Sequence, residues 1–216
     1  MIKSAITVSL VAQAKGGPFV YWDGLDAAAA SAAKLGFDAI EIFAPSAASI
    51  DRPALHALLK QHHLSAAAFG TGGGWLVHKW HLTHADPAIR KQAREFIRAI
   101  IDVAGEFKAP AIIGSMQGKA EGDVSRDQAL TCLAEALTDL GAHAARYGVP
   151  LLYEPLNRYE TNLLNRQLDA AQFLEAPQGH EREATLRPVP YEHRGGLERR
   201  HAPRLRPPRR ARPLRR

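Results

Sequence analysis

Apolar and polar positions in residues 1–175 follow two alternating patterns. Short apolar runs are separated by longer segments in which apolar residues recur every three or four positions, the spacing of one helix face. The short runs predict strands at residues 5–10, 37–43, 64–69, 109–114 and 149–153. Strands that alternate with helices in this way predict a parallel sheet with right-handed crossovers.

Capping residues mark where several of the predicted helices begin. Asp26 is predicted to cap the first helix, which is rich in alanine and ends near Gly36. Later helices begin with an aspartate closely followed by a proline, or with a Ser-x-x-Gln capping box, at Asp51, Asp86 and Ser125. These boundaries place one helix between consecutive strands.

Two architectures share this alternation: a barrel and an open, doubly wound sheet. The turn after the first strand, around Gly16 and Gly17, lacks the G-x-G-x-x-G spacing of a dinucleotide-binding doubly wound sheet. The chain of 216 residues is also shorter than the roughly 250 residues of a typical complete barrel. We therefore predict an α/β fold, an incomplete (β/α)8 TIM barrel of about five βα units.

An acidic residue directly follows the fifth predicted strand. Glu154 stands where the apolar run ends, and Asn157, Arg158 and Glu160 lie in the loop behind it. TIM barrels keep their catalytic groups at the carboxyl ends of the strands, and a carboxylate buried there needs a partner, hydrogen bonds or a metal. Glu154 is therefore the predicted catalytic residue. The alternative is a strand end whose charges simply reach water.

Other segments give weaker signals. The glycine-rich segment 70–75 lacks the Lys-Ser or Lys-Thr of a phosphate-binding loop, so it predicts a flexible loop at the barrel mouth, with Trp75 as an apolar wall. His78, His81 and His84 stand three apart without an accompanying cysteine. This pattern favours exposed or helix-capping histidines over zinc ligands.

Two residues are interpreted from their places in predicted elements. Glu41 points to the opposite side of its strand from its apolar neighbours, so it is predicted to line the barrel or to pair with a lysine. Cys132, the single cysteine, falls on the apolar stripe of a helix, which favours a buried, inert thiol. One cysteine excludes an internal disulfide and fits a cytoplasmic protein. The alternative is secretion, because residues 3–14 faintly resemble a signal peptide.

The composition changes after residue 175. The net charge is +6, but residues 176–216 contain twelve Arg and four Glu, which leaves −2 for residues 1–175. Half of the 14 prolines lie in this segment, which has no Lys, Asp, Asn, Ser, Ile or Phe. Such a composition predicts neither a regular strand nor an amphipathic helix. The predicted division is a partial barrel, residues 1–175, followed by a disordered basic tail, residues 176–216.

The sequence resembles the sugar isomerases and epimerases of the xylose-isomerase-like TIM-barrel class, which includes ketose 3-epimerases and hydroxypyruvate isomerases. The resemblance rests on E-P-L-N-R-Y-E-T-N at 154–162, supported by G-T-G-G-G-W at 70–75 and I-I-G-S-M-Q-G at 112–118. It implies that Glu154 binds a divalent metal and takes a proton from a sugar or hydroxy-keto substrate. It also implies that Glu160 contacts substrate hydroxyls. The predicted substrate-binding residues are Glu160, Asn157, Arg158, Trp75 and Gln117. The sequence leaves open whether the chain forms a homo-oligomer.

The implied chemistry suits these residue types. Moving a carbonyl along a sugar, or inverting the neighbouring carbon, requires a base that removes a weakly acidic C–H proton beside the carbonyl. A hard cation polarises the carbonyl oxygen and steadies the enediolate that forms. Oxygen-rich ligands suit Mg²⁺ or Mn²⁺ better than zinc, so one of these two ions is the predicted cofactor.

The chain departs from the family pattern after residue 175. The family supplies further metal ligands on strands six, seven and eight, an aspartate, a histidine and a glutamate, and none can be placed here. If residues 186–195 are encoded by CTG CGA CCT GTT CCA TAT GAA CAT CGA GG, reading one base later gives C-D-L-F-H-M-N-I-E, which resembles the family's sixth strand. The hypothesis is that the frame slips between residues 176 and 179. The tail is then a wrong-frame translation, and the protein as translated is nearly inactive.

A second class of function remains open, because an arginine-rich tail is also typical of a disordered arm that binds nucleic-acid phosphates. No aromatic residue lies beyond Tyr191 to stack on bases. The frame hypothesis explains the same composition without a function, so a nucleic-acid partner is not favoured. A membrane partner is not predicted either, because no apolar run approaches the ~18 residues that a membrane span needs.

Overall fold

The computed structural model describes residues 3–175 and 186–188, in which strands and helices alternate. The strands are β1 (Ala5–Ser9), β2 (Ala39–Phe43), β3 (Ser65–Gly70), β4 (Ala111–Ile113), β5 (Leu151–Tyr153) and β6 (Leu186–Pro188). The helices are α1 (Leu25–Lys34), α2 (Arg52–Gln61), α3 (Gly73–His78), α4 (Pro87–Glu106), α5 (Arg126–Ala145) and α6 (Gln167–Glu175).

The described strands form one parallel sheet in which each strand pairs with its predecessor in the chain. Their spatial order, β1-β2-β3-β4-β5-β6, never reverses, whereas a doubly wound sheet reverses at a switch point. Strands in chain order, connected by helices, are the arrangement of a (β/α)8 barrel. The predicted α/β, TIM-barrel-like fold is therefore confirmed.

The helix starts follow the predicted capping residues with one exception. The side chains of Asp51 and Asp86 accept hydrogen bonds from the first turns of α2 and α4, and Ser125 forms the predicted capping box of α5. The exception is α1, whose N-cap is Gly24 rather than Asp26. Asp26 lies in the first turn instead, where its negative charge interacts favourably with the helix dipole.

The glycine-rich segment after β3 is largely helical, so the prediction of a flexible loop is wrong for residues 73–75. These residues begin α3, and both Gly73 and Gly74 are buried. A side chain at Gly73 would collide with the carbonyl oxygen of Ala44. The missing side chain therefore lets α3 pack closely against the segment that follows β2.

The sixth strand contradicts the prediction that no regular strand follows residue 175. Leu186–Pro188 pairs in parallel with β5, with Leu186 opposite Leu151 and Pro188 opposite Tyr153. Proline is tolerated at this position because β6 is an edge strand among the described residues. The remainder of the predicted basic tail, residues 176–185 and 189–216, lies outside the described residues.

Three polar contacts join α4 to α5 and to the turn after α5 on the outer layer of the fold. Arg98 pairs with Asp139 at 2.5 Å, and Asp102 accepts hydrogen bonds from His143 (2.5 Å) and Tyr147 (2.8 Å). The hydrogen bond to Asp102 raises the pKa of the Tyr147 hydroxyl. Buried apolar side chains of both helices pack into the core with the strands.

Cys132 is partly exposed on α5, which corrects the prediction of a buried thiol. Leu133 and Leu137 are fully buried on this helix, and Cys132 lies at the border of the face they form. Within residues 3–175 and 186–188, none of the helices is long and apolar enough to cross a membrane.

Candidate active site

A cavity of about 580 Å³ lies at the carboxyl ends of the strands. Its wall combines the loop after β1, the end of β3, part of α3 and the loops that follow β4 and β5. The polar and aromatic side chains in this wall include Glu41, Trp75, His81, Lys119, Glu154 and Glu160. Parallel barrels place their catalytic groups at this end of the sheet, so the cavity is the candidate active site.

Glu154 is the first residue after β5 and is half-buried in the cavity wall. Its backbone N–H donates to the carbonyl of Ile113 (3.0 Å), and its own carbonyl accepts from the side chain of Gln117 (3.0 Å). These bonds fix the backbone of Glu154 against the end of β4. Trp75 lies in the same wall, so the structure brings the predicted base and the predicted apolar wall to one cavity.

Gln117 lies beneath the cavity rather than in its wall. Its side chain is fully buried, donates to the carbonyls of Gly114 and Glu154 (both 3.0 Å), and accepts from the hydroxyl of Tyr153. Burial raises the pKa of Tyr153, so this hydroxyl keeps the proton that it donates. Gln117 therefore joins the ends of β4 and β5 next to Glu154.

Replacing Gln117 with leucine is expected to lower the free energy of unfolding by about 2–4 kcal/mol, because the Tyr153 hydroxyl and two carbonyls lose a buried partner. Urea unfolding measures the loss. The control is the double variant Gln117→Leu/Tyr153→Phe, which lacks both the amide and the hydroxyl. Its free energy of unfolding should be higher than that of Gln117→Leu alone, because no buried hydroxyl is left without a partner. If Gln117→Leu left the free energy of unfolding unchanged, this network would not stabilise the strand ends.

The loop after β5 presents Glu160 to the cavity. Asn157 donates a hydrogen bond from Nδ2 to the Glu160 carboxylate, and its Oδ1 accepts from the backbone N–H of Tyr159 (2.9 Å). Tyr159 and Glu160 line the cavity, whereas Asn157 and Arg158 are not part of its wall. The guanidinium of Arg158 lies 5.3 Å from the centre of the exposed Tyr159 ring. Asn157 therefore orients Glu160, and Arg158 supports the outer rim.

His81 is a buried histidine in the cavity wall, so the interpretation as an exposed or capping histidine is wrong for this residue. Only 2% of it is exposed, its ring lies edge-on to Trp75, and its Nδ1 is 3.3 Å from the hydroxyl of Thr83. Gly118, at φ +80°, makes room for this contact, because a Cβ there would collide with His81 and Thr83. The buried neighbour Leu82 is the local signal that could have indicated burial.

The interpretation is correct for His78, whereas His84 is half-buried beside a helix start that another residue caps. His78 is exposed and stacks on Trp80. His84 accepts a hydrogen bond from the backbone N–H of Asp86 (3.0 Å), the N-cap of α4. The three evenly spaced histidines therefore occupy three different environments.

The stability of the fold is expected to depend on pH through His81. Burial lowers the pKa of His81 to about 4, assisted by the charge of His84, whereas the unfolded value is about 6.5. Between these pH values the unfolded chain binds a proton that the folded chain does not. The free energy of unfolding should therefore fall as the pH drops from about 6.5 to 4, by up to about 3 kcal/mol. Urea unfolding of the wild type and His81→Phe across this range checks the effect, and equal pH slopes would contradict it.

Glu41 also faces the cavity. It is half-buried on β2, between Ile40 and Ile42, which are both fully buried in the core. The alternation of side chains along a strand predicted this orientation, and the prediction that Glu41 lines the barrel is confirmed.

The described residues do not fit a complete metal site. Within residues 3–175 and 186–188, no group of three or more His, Cys, Asp or Glu side chains is positioned to hold a metal ion. Glu41 and Glu154 are oxygen donors of the kind that Mg²⁺ and Mn²⁺ prefer. Two carboxylates leave most of an octahedral coordination shell unfilled.

A parallel sheet in chain order, with carboxylates in a cavity at the carboxyl ends of its strands, defines a protein of the TIM-barrel class. The model of the xylose isomerase-like TIM barrel family matches residues 29–182. The chain belongs to this family, as the resemblance in its sequence indicates.

Two curated relatives are named as epimerases. An L-ribulose 3-epimerase from Methylomonas sp. (strain DH-1) is 33% identical over 170 residues, which cover 74% of this chain and 57% of the relative. A ketose 3-epimerase from Arthrobacter globiformis is 28% identical over 142 residues, which cover 65% of this chain and 48% of the relative. The chain therefore spans about half the length of the curated relatives it matches.

A solved structure supports the same relationship. The crystal structure of a D-allulose 3-epimerase from Methylomonas sp. in complex with D-allulose aligns with a TM-score of 0.62 and 28% sequence identity. The alignment covers 80% of this chain and 58% of that chain. The prediction that the chain is related to sugar isomerases and epimerases is confirmed.

Proposed function

We propose that Glu154 is the catalytic base of a sugar isomerase or epimerase. It removes a proton from the carbon beside the carbonyl of a ketose, an aldose or a hydroxypyruvate-like substrate, and an enediolate forms. The position of Glu154 carries the proposal, because this half-buried residue is the first after β5 and lines the cavity. The epimerases named above are consistent with this reaction class.

The other predicted site residues are proposed to bind or position the substrate. Glu160 accepts hydrogen bonds from substrate hydroxyls, and Trp75 packs against the carbon skeleton, because both line the cavity. Asn157 acts through its hydrogen bond to Glu160, and Gln117 acts through its hydrogen bond to the carbonyl of Glu154. Arg158 is proposed to contact the substrate only at the outer rim.

A divalent cation, Mn²⁺ or Mg²⁺, is the proposed cofactor, with Glu154 as one ligand. When bound, such an ion polarises a carbonyl oxygen. The described residues do not complete the coordination shell of this ion. The chain of 216 residues is accordingly proposed to be nearly inactive as translated.

The test combines binding and turnover in the 216-residue chain. D-allulose is expected to bind and to change the tryptophan fluorescence, a change that Trp75→Phe should reduce. Turnover of D-allulose, L-ribulose and hydroxypyruvate with added Mn²⁺ should be slow or absent, as followed by deuterium exchange at the reacting carbon. Rapid turnover would contradict the proposed impairment, and failure of D-allulose to bind would contradict the sugar function.

The arginine-rich tail is not expected to give the chain a nucleic-acid-binding function. A tail whose function is to bind nucleic acid would bind single-stranded DNA or RNA tightly at physiological salt, and its affinity would fall steeply as the salt concentration rises. Filter binding across a salt series is expected to show only weak binding at physiological salt, no stronger than that of a chain with a scrambled tail. Tight, strongly salt-dependent binding would favour the alternative function instead.

A further inference from the structure

A cluster of His81, Lys119 and Glu121 lies along one side of the cavity, and none of the roles proposed above uses it. His81 and Lys119 line the cavity. Lys119 Nζ pairs with Glu121 at 2.8 Å, and Glu121 Oε1 lies 3.5 Å from His81 Nε2. The cluster therefore places two hydrogen-bond acceptors and one cation together beside the substrate space.

The hydrogen bonds of Thr83 determine which ring nitrogen of His81 carries the proton. The Thr83 hydroxyl donates its single hydrogen to the carbonyl of Lys119 (3.0 Å). It can then only accept a hydrogen bond from His81 Nδ1, which lies 3.3 Å away. The proton of the neutral imidazole is therefore on Nδ1, and Nε2 carries a lone pair.

The neutral ring leaves Nε2 in need of a donor. Burial lowers the pKa of His81 to about 4, and His84 and Lys119 lower it further, while Glu121 acts in the opposite direction. At neutral pH the lone pair of Nε2 faces the carboxylate of Glu121, which is also an acceptor. Two acceptors at this distance repel each other unless a donor lies beside both of them.

The acceptor on His81 is held rigidly. Both His81 and Thr83 are almost fully buried, and the ring centre of Trp75 lies 5.5 Å from that of His81. A group that is already fixed loses little conformational entropy when a ligand binds. His81 can therefore discriminate between ligands, which a mobile surface side chain does poorly.

We infer that His81, Glu121 and Lys119 form a subsite for an uncharged hydroxyl group of the substrate, which donates to Nε2 of His81 and accepts from Nζ of Lys119. The inference rests on the proposed sugar function and deepens it. A hydroxyl fits because it donates and accepts at once. A phosphate dianion does not fit, because its oxygen lone pairs would face both Nε2 and the carboxylate of Glu121. The end of the substrate held here is therefore not phosphorylated.

Binding of D-allulose to the 216-residue chain, measured by equilibrium dialysis, tests the subsite. His81→Phe keeps a ring against Trp75 and removes the acceptor, so it is expected to weaken binding about tenfold. His78→Phe is the matched control, because it exchanges an exposed histidine outside the cavity wall and should leave binding unchanged. Circular dichroism verifies that both variants are folded.

A second measurement needs no variant. In wild-type protein labelled with ¹⁵N-histidine, the Nε2 resonance of His81 should be that of an unprotonated nitrogen at neutral pH, and it should move when D-allulose binds. If D-allulose binds wild type and His81→Phe equally and the resonance stays in place, the subsite is wrong while the proposed function stands. If inorganic phosphate moves the resonance as D-allulose does, the hydroxyl assignment fails. If D-allulose does not bind the wild type, the proposed function and the subsite fail together.

Discussion

Moving the reading frame one base forward between codons 176 and 179 is expected to raise epimerase turnover at least about a thousandfold above that of the 216-residue chain. Under the frame hypothesis, the shifted product carries C-D-L-F-H-M-N-I-E where the chain now has residues 186–194. The aspartate of this segment would add a metal ligand. Under the same hypothesis, the shifted frame encodes the further metal ligands that the described residues lack. Conversion of D-allulose and L-ribulose with added Mn²⁺ measures the gain.

The control for this prediction is a gene shifted by one base in the opposite direction at the same codons. It changes the same region of the protein without producing the family-like segment, so it should remain inactive. The nucleotide sequence gives an earlier check, because the shifted frame must stay open and encode further alternating strands and helices. An early stop codon in that frame would overturn the hypothesis.

Replacing Glu154 with glutamine in the frame-shifted product is expected to reduce kcat about a thousandfold, with a smaller change in KM, because a positioned general base is lost. Deuterium incorporation at the reacting carbon should fall in parallel. Glu95→Gln is the matched control, since Glu95 is exposed on α4 and its partner Lys91 lies 3.8 Å away. Comparable losses in the two variants, or an active Glu154→Gln enzyme, would contradict the assignment.

The same substitution is expected to leave the fold intact. The backbone N–H and carbonyl of Glu154 are bonded to Ile113 and Gln117, and these bonds hold the residue at the end of β5. A glutamine keeps both. The thermal midpoint of Glu154→Gln should therefore stay within a few degrees of the wild type, which separates a catalytic loss from unfolding.

The parts of the fold that could be predicted from the sequence are those set by local chemistry. The capping residues Asp51, Asp86 and Ser125 occupy their predicted positions, because each satisfies N–H groups of the helix that follows it. Strands β4 and β5 are shorter than predicted and begin just after Pro110 and Pro150. Proline has no N–H to donate to a sheet, so each strand starts only at the next residue.

The parts that could not be predicted depend on residues distant in the sequence. The environment of His81 is completed by residues 118–121, and α3 packs where Gly73 meets the segment after β2. In the candidate site, the strand end predicted the position of Glu154. Nothing local indicated that Gln117 would lie beneath the cavity, because its partners Tyr153 and Glu154 lie at the end of β5, far along the chain.

The order of the strands also has a consequence for synthesis on the ribosome. Since every strand pairs with the one made just before it, the nascent chain can add one βα unit at a time to a growing template, without waiting for a distant segment. If a translational error occurs after α6, five strands of the sheet have already been synthesised. The units made earlier would then be partly protected from proteases, and such a product would persist in the cell longer than an unfolded polypeptide.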